Sequence, residues 1–187
     1  MAEVPVKSNK DEINRVYVIL GTSHDIQWTG GAPSPSVRKV IDGLKSTIRG
    51  LIVKYEVKLI AEETLGPNCP PTVAREIAID ENICYREIDM PRDELEAAGI
   101  REETDRRYQS SLSTSPNTEI RLCRADDIRE NFWLDKIEGT KATPVLVVCG
   151  WAHTGFLARK VRARNCVVAK DIYFPPFLRE RIIECDP

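Results

Sequence analysis

The sequence predicts an α/β fold, with a mostly parallel central sheet of about five strands flanked by helices. Three observations predict it. Strand-like apolar runs alternate with segments whose apolar residues recur at spacings of three and four, the pattern of strands joined by amphipathic helices. "TPVLVVCG" (143–150) is apolar on both faces, as strands buried inside a parallel sheet are. A chain of 187 residues is long enough for one full hydrophobic core, so a single domain over 1–187 is expected.

Each element has its own signal. Arg15 to Leu20 reads as a strand of β-formers running into Gly21, and "GTSHDIQWTGGAPSPS" after it as a loop rich in glycine, proline and serine. Ser36 to Tyr55 reads as a helix, with one apolar face made by Val37, Val40, Ile41, Leu44, Ile48, Leu51 and Ile52 and a cap from Ser34 or Ser36. "VKLIAEE" (57–63) is a strand ending in two carboxylates, Thr72 to Glu81 a helix and "ICYREID" (83–89) a further strand. A short helix follows near Arg92 to Ala98, and Glu119 to Ile137 is a helix carrying Phe132 and Trp133. A helix from about Thr154 to Arg164 and the strand "CVVAK" complete the alternation. Residues 1–12 are polar and expected to be flexible, and 101–119 form a mobile excursion or a lid.

Composition removes several classes of function. A net charge of -2 provides no global basic field, so neither nucleic acid nor an anionic membrane is expected as a partner. No apolar run approaches the roughly 18 residues that span a bilayer. "MAEVPVKSNKDEINR" lacks the apolar stretch of a secretory signal, so a cytoplasmic location is the expectation. Six scattered cysteines without a C-x-x-C pair then read as reduced thiols. Cys149, deep in its apolar run, reads as an inert core thiol rather than half of a Cys-His nucleophile pair. "GTSHD" fails the G-x-S-x-G pattern at Asp25, and no dinucleotide or P-loop glycine motif occurs.

The chemistry concentrates at strand ends. The chain has two histidines, His24 and His153, and each stands three residues after a glycine and just past a strand-like run. With glycine at about 7% of average sequence, chance would place it before both histidines roughly once in two hundred chains. Glu62, Glu63 and Asp89 also sit at or just beyond predicted C-terminal strand ends, the edge where open α/β sheets collect ligands. Two imidazoles with carboxylates suit Mn, Zn, Co, Ni or Fe, which could turn bound water into a nucleophile. His24, His153 and Glu62 are the expected metal ligands, and His24, Glu62, Glu63, His153 and Asp89 the expected catalytic set. Because successive side chains alternate across a sheet, either Glu62 or Glu63 could face the site. Asp25 could act as a base or orient an imidazole. Trp151 could wall a pocket for a small-molecule or peptide substrate.

At these residues the sequence resembles the TIKI/TraB-like superfamily, also called the erythromycin-esterase/ChaN-like superfamily. Gly21-Thr22-Ser23-His24 and Gly150-Trp151-Ala152-His153 resemble its two G-x-x-H motifs, and "LIAEE" the intervening acidic strand end. Asp89 is similar to the acidic residue after the family's third strand. "DIRENFWLDKI" (127–137) resembles the helix before the last motif, which makes Arg129 the substrate-binding arginine by resemblance. The resemblance spans residues 15 to 170. It implies a divalent-metal or hydrolytic centre on an α/β scaffold, as in the superfamily's metal-dependent proteases, macrolide esterases and haem-associated proteins. The leading expectation is therefore a metal-dependent hydrolase. The alternative is a non-catalytic protein that holds a metal, haem or small metabolite in the same pocket. A third expectation is a metal-free site in which the histidines are themselves acid and base.

Overall fold

The structure is a computed structural model that describes residues 15–27, 34–64, 71–105, 124–164 and 166–173. Five strands form one sheet in which every pairing is parallel: β1 (Val16–Thr22), β2 (Leu59–Glu62), β3 (Cys84–Glu87), β4 (Val145–Gly150) and β5 (Val167–Ile172), in the order β3-β2-β4-β1-β5. The described helices are α1 (His24–Gln27), α2 (Pro35–Tyr55), α3 (Val73–Asp80), α4 (Arg92–Ala97), α5 (Arg124–Glu138) and α6 (Thr154–Ala163). The expected α/β fold is present. Residues 1–12 lie outside the described residues. Of the stretch 101–119, residues 101–105 are helical and the rest lie outside.

α2 begins where the sequence places its cap. Ser34 Oγ accepts the Val37 N–H, and Pro35, which has no N–H to lose, takes the first helical position. The helix buries Val40, Ile41, Leu44, Ile48 and Leu51, while Val37 in the first turn stays 42% exposed. One turn of helix, α1, interrupts the segment expected to be loop.

Alternation along the strands separates two cores. Val18, Leu20, Ile60, Leu146 and Val148 pack against α2 and α3 on one face. Tyr17, Ile19, Leu59, Ala61, Val147 and Cys149 pack against α5 and α6 on the other. The connection leaving β1 through α2 and the one leaving β4 through α6 therefore depart to opposite faces. Since β1 and β4 are neighbours, with Thr22 level with Gly150, a crevice opens between their C-terminal ends. Both histidines follow these two strands. Among the described residues no helix is long and apolar enough to cross a membrane.

Candidate functional site

β2 ends on two buried carboxylates that the sheet sends to opposite faces. Glu63 follows Ala61 onto the α5/α6 face and reaches the crevice. One of its oxygens, Oε2, accepts the Gly150 N–H at 2.8 Å. The other, Oε1, accepts Arg129 Nη2 at 2.8 Å and lies 3.8 Å from His24 Nε2 and 3.6 Å from His153 Nε2. Glu62 follows Ile60 to the α2/α3 face, where Tyr85 Oη donates to its Oε2 at 2.8 Å and Thr72 Oγ1 donates to the same oxygen. The expectation that Glu62 serves as a metal ligand and catalytic carboxylate therefore meets a different placement. Glu63, not Glu62, stands among the histidines.

Both imidazoles are held from behind. His24 opens α1, and its Nδ1 lies 2.8 Å from Gln27 Oε1, three residues on along the same turn. An amide oxygen only accepts, so Nδ1 of His24 donates and Nε2 is the nitrogen turned toward Glu63. His153 Nδ1 lies 2.9 Å from Glu130 Oε1, and the edge of its ring meets Trp133 with centroids 4.9 Å apart. The two rings differ in access: the His24 side chain is 30% exposed and that of His153 only 9%. His24 thus stands at the mouth of the crevice and His153 at its floor.

The glycines explain the G-x-x-H spacing. A Cβ on Gly150 would stand 2.9 Å from His24 Nε2, 3.4 Å from Glu63 Oε2 and 3.5 Å from His153 Cδ2, in the space where the three side chains meet. A Cβ on Gly21 would collide with Thr154 Cγ2 and come within 3.0 Å of the Trp151 backbone, so Gly21 lets the turn after β4 close over β1.

Arg129 ties the site together. Its Nη2 reaches both oxygens of Asp89 at 2.9 Å in addition to Glu63, and its Nε reaches Asp89 Oδ1 at 3.1 Å. Asp89 also accepts Trp133 Nε1 at 3.0 Å and the Met90 N–H at 2.9 Å. Every hydrogen bond that these contacts give Arg129 goes to a carboxylate of the protein, so it organises the site rather than reaching outward. Trp151 is 43% exposed beside the crevice. Asp25 lies within α1, and its side chain is outside the described residues.

Burial would push the Glu63 carboxyl up, but His153, His24, Arg129 and the Gly150 N–H outweigh it and hold the group at about 2. It is a carboxylate at any physiological pH. Burial pulls His153 down, yet Glu63 and the Glu130 hydrogen bond raise it above the ordinary imidazole value. Burial pushes the Cys149 thiol well up, which agrees with an inert core cysteine.

A divalent metal would have to share its carboxylate with donors of the protein. Two anchored imidazoles presenting Nε2 are what such an ion requires. Among the described residues the carboxylate between them, Glu63, has one oxygen engaged by Arg129 and the other by Gly150. Among the described residues no group of three His, Cys, Asp or Glu side chains is spaced to hold a metal ion.

Glu130, Gln27 and the contact of Trp133 with His153 were not read from the sequence as parts of a site. The first shows only in the packing. α5 buries Asp126, Arg129 and Glu130 alongside Trp133, Leu134 and Ile137, so charged residues occupy the inward stripe that an amphipathic helix reserves for apolar ones. Compared with known proteins, the chain matches no family model, no curated protein and no solved structure.

Proposed function

We propose that this chain is a hydrolase of small molecules or peptides in which His24 is the general base, His153 the proton donor, and Glu63 the carboxylate that sets both. A cytoplasmic location goes with this reading. The observation that carries it is the convergence of two imidazoles, each anchored through Nδ1, on one buried carboxylate oxygen in the crevice between β1 and β4. The likeness of the two G-x-x-H motifs to the TIKI/TraB-like superfamily supports the same reaction class.

The chemistry follows from which nitrogen is free. His24 Nε2 takes a proton from a water molecule, and the water oxygen bonds to the carbonyl carbon of an ester or amide while the carbonyl electron pair moves to its oxygen. The protonated His153 beside Glu63 faces that oxyanion and lowers its energy. When the tetrahedral species collapses, the bond to the leaving group breaks and the leaving group takes the His153 proton. A proton passing from His24 to His153 restores the starting state; both rings face the same Glu63 oxygen.

The test is a panel of esters, lactones and peptides assayed with wild type, His24→Ala and His153→Ala, with elemental analysis and titrations of Mn, Zn, Co, Ni and Fe alongside. Turnover without added metal, lost by 10²-fold or more in each variant, is expected. Stoichiometric metal lost in both variants, with turnover only in its presence, would replace this reading with a metal centre. Saturable binding of a metal, haem or metabolite without turnover would make the chain a carrier.

A further inference from the structure

We propose that Glu130 is the positioning residue of this site, fixing the His153 ring with Nδ1 turned back into α5 and Nε2 turned toward Glu63. The assignment rests on the reading above only for its catalytic consequence, because the geometry stands by itself. Glu130 is fully buried. Carboxylates are rarely buried that far unless paired, since burial removes their hydration. The one hydrogen bond that Glu130 makes among the described residues is to His153 Nδ1, at 2.9 Å. Its second oxygen makes none and has an ion-pair contact with Lys160 Nζ at 3.6 Å, while that amine bonds Asp127 at 2.6 Å. Lys160 faces Oε2 alone, which leaves Oε1 to His153.

The ring is gripped on a second side by the same helix. Trp133, three residues along α5, meets the His153 ring at 69°, and its own Nε1 is fixed by Asp89. The residue before Glu130 is Arg129, which holds Glu63. Consecutive residues of one helix therefore hold the two partners, Glu130 gripping His153 and Arg129 gripping Glu63, and their 3.6 Å approach is set by a rigid element. An imidazole with its Nδ1 proton given to a carboxylate presents a defined Nε2, whereas a free ring samples both tautomers and both flips.

The chain has only two histidines, so ring nitrogen spectra of ¹⁵N-labelled protein resolve them, and His24→Gln assigns the remaining signals to His153. In the wild type His153 is expected to carry a proton on Nδ1 in both its charged and its neutral form, with a slowly exchanging Nδ1–H resonance. A wild-type His153 with a bare Nδ1 overturns the proposal before any variant is made. In Glu130→Ala that resonance is expected to vanish and the tautomers of the neutral ring, reached by raising the pH, to mix, while in Glu130→Gln the amide oxygen keeps accepting and the resonance persists. A folded Glu130→Ala protein with an unchanged His153 spectrum overturns it as well. With any substrate found for the enzyme, Glu130→Ala should lower kcat by about 10- to 100-fold and leave KM in place. The spectra need no substrate, so a failed hydrolase screen and a failed positioning role are separate results.

Discussion

Glu62 and Glu63 are neighbours on one strand end, both fully enclosed, yet they live in opposite electrostatic worlds. Burial pushes each carboxyl upward. On the α5/α6 face Glu63 meets two imidazoles, a guanidinium and a backbone N–H, and is held at about 2. On the α2/α3 face Glu62 meets only the hydroxyls of Thr72 and Tyr85, and burial carries it to about 7. Two residues of the same type at the same depth thus become a permanent anion and an acid neutral over much of the pH range. What separates them is the alternation of the strand and the charges that the facing helices supply. Chemistry that needs a fixed charge can occur on one face only.

The largest expected effect comes from erasing that charge. Glu63→Gln leaves Arg129 with Asp89 as its charged partner and removes the negative charge that both histidine Nε2 atoms face. Breaking a buried ion pair in this way costs about 3–5 kcal/mol, and hydrolysis should fall below detection. Denaturant unfolding and the substrate panel measure the two effects. The variant should also flatten the acid limb of the stability curve. The Glu63 carboxyl is lowered from 4.5 to about 2, so its stabilisation is fully present above about pH 4.5 and is lost as pH falls toward 2. That loss is on the order of 3 kcal/mol in wild type and should be absent from Glu63→Gln. An unchanged acid limb would show that Glu63 is not the ionised member of the pair.

The next effect is geometric. In Gly150→Ala the new methyl enters the space shared by His24, Glu63 and His153, 2.9 Å from the His24 nitrogen. Moving His24 by about an ångström should cost about 10²-fold in turnover. Overpacking should cost about 1–3 kcal/mol of stability. Gly155, the second residue of α6, supplies the contrast, because nothing lies within 4 Å of its Cβ position. Gly155→Ala should leave turnover unchanged and gain about 0.5–1 kcal/mol of helix stability. Turnover lost equally in both variants would mean that the turn after β4, rather than the Gly150 position, limits the reaction.

The two faces also differ in how legible they were. Strands and helices follow hydrophobic periodicity, so β1, α2 and β4 could be read with errors of a residue or two at their ends. The strand-end rule found His24, His153, Asp89 and the Glu62–Glu63 pair, because it needs only the end of each strand. It could not choose between the two glutamates. That choice depends on strand phase: Ile60 packs toward α2 and Ala61 toward α5, but both are apolar and either could have faced either way. Glu130 escaped for a related reason. A glutamate beside an arginine on a charged helix reads as solvated until tertiary packing turns the α5 stripe inward. Gln27 escaped because no periodicity announces a four-residue helix.

The smallest effect tests the quiet half of the comparison. In Glu62→Gln the amide oxygen can still accept from Thr72 and Tyr85, but its NH₂ replaces Glu62 Oε1, which has no hydrogen-bond partner among the described residues. An unpaired buried amide costs about 1–3 kcal/mol at every pH. Against this stands the linkage of the wild type. A carboxyl raised from 4.5 to about 7 contributes stability that is fully present below about pH 4.5 and is lost as pH rises through 7. The glutamine should therefore be the less stable form at pH 4.5. By pH 8.5 it should match or exceed wild type, the two terms being of similar size and leaving a net difference within about 2 kcal/mol. Turnover should change less than about threefold, since Glu62 touches none of the groups in the crevice. Urea unfolding of both proteins at the two pH values decides it. A difference between them that does not move with pH would mean that Glu62 titrates like an exposed glutamate, and the contrast between the two faces would then rest on position alone, with no difference in charge.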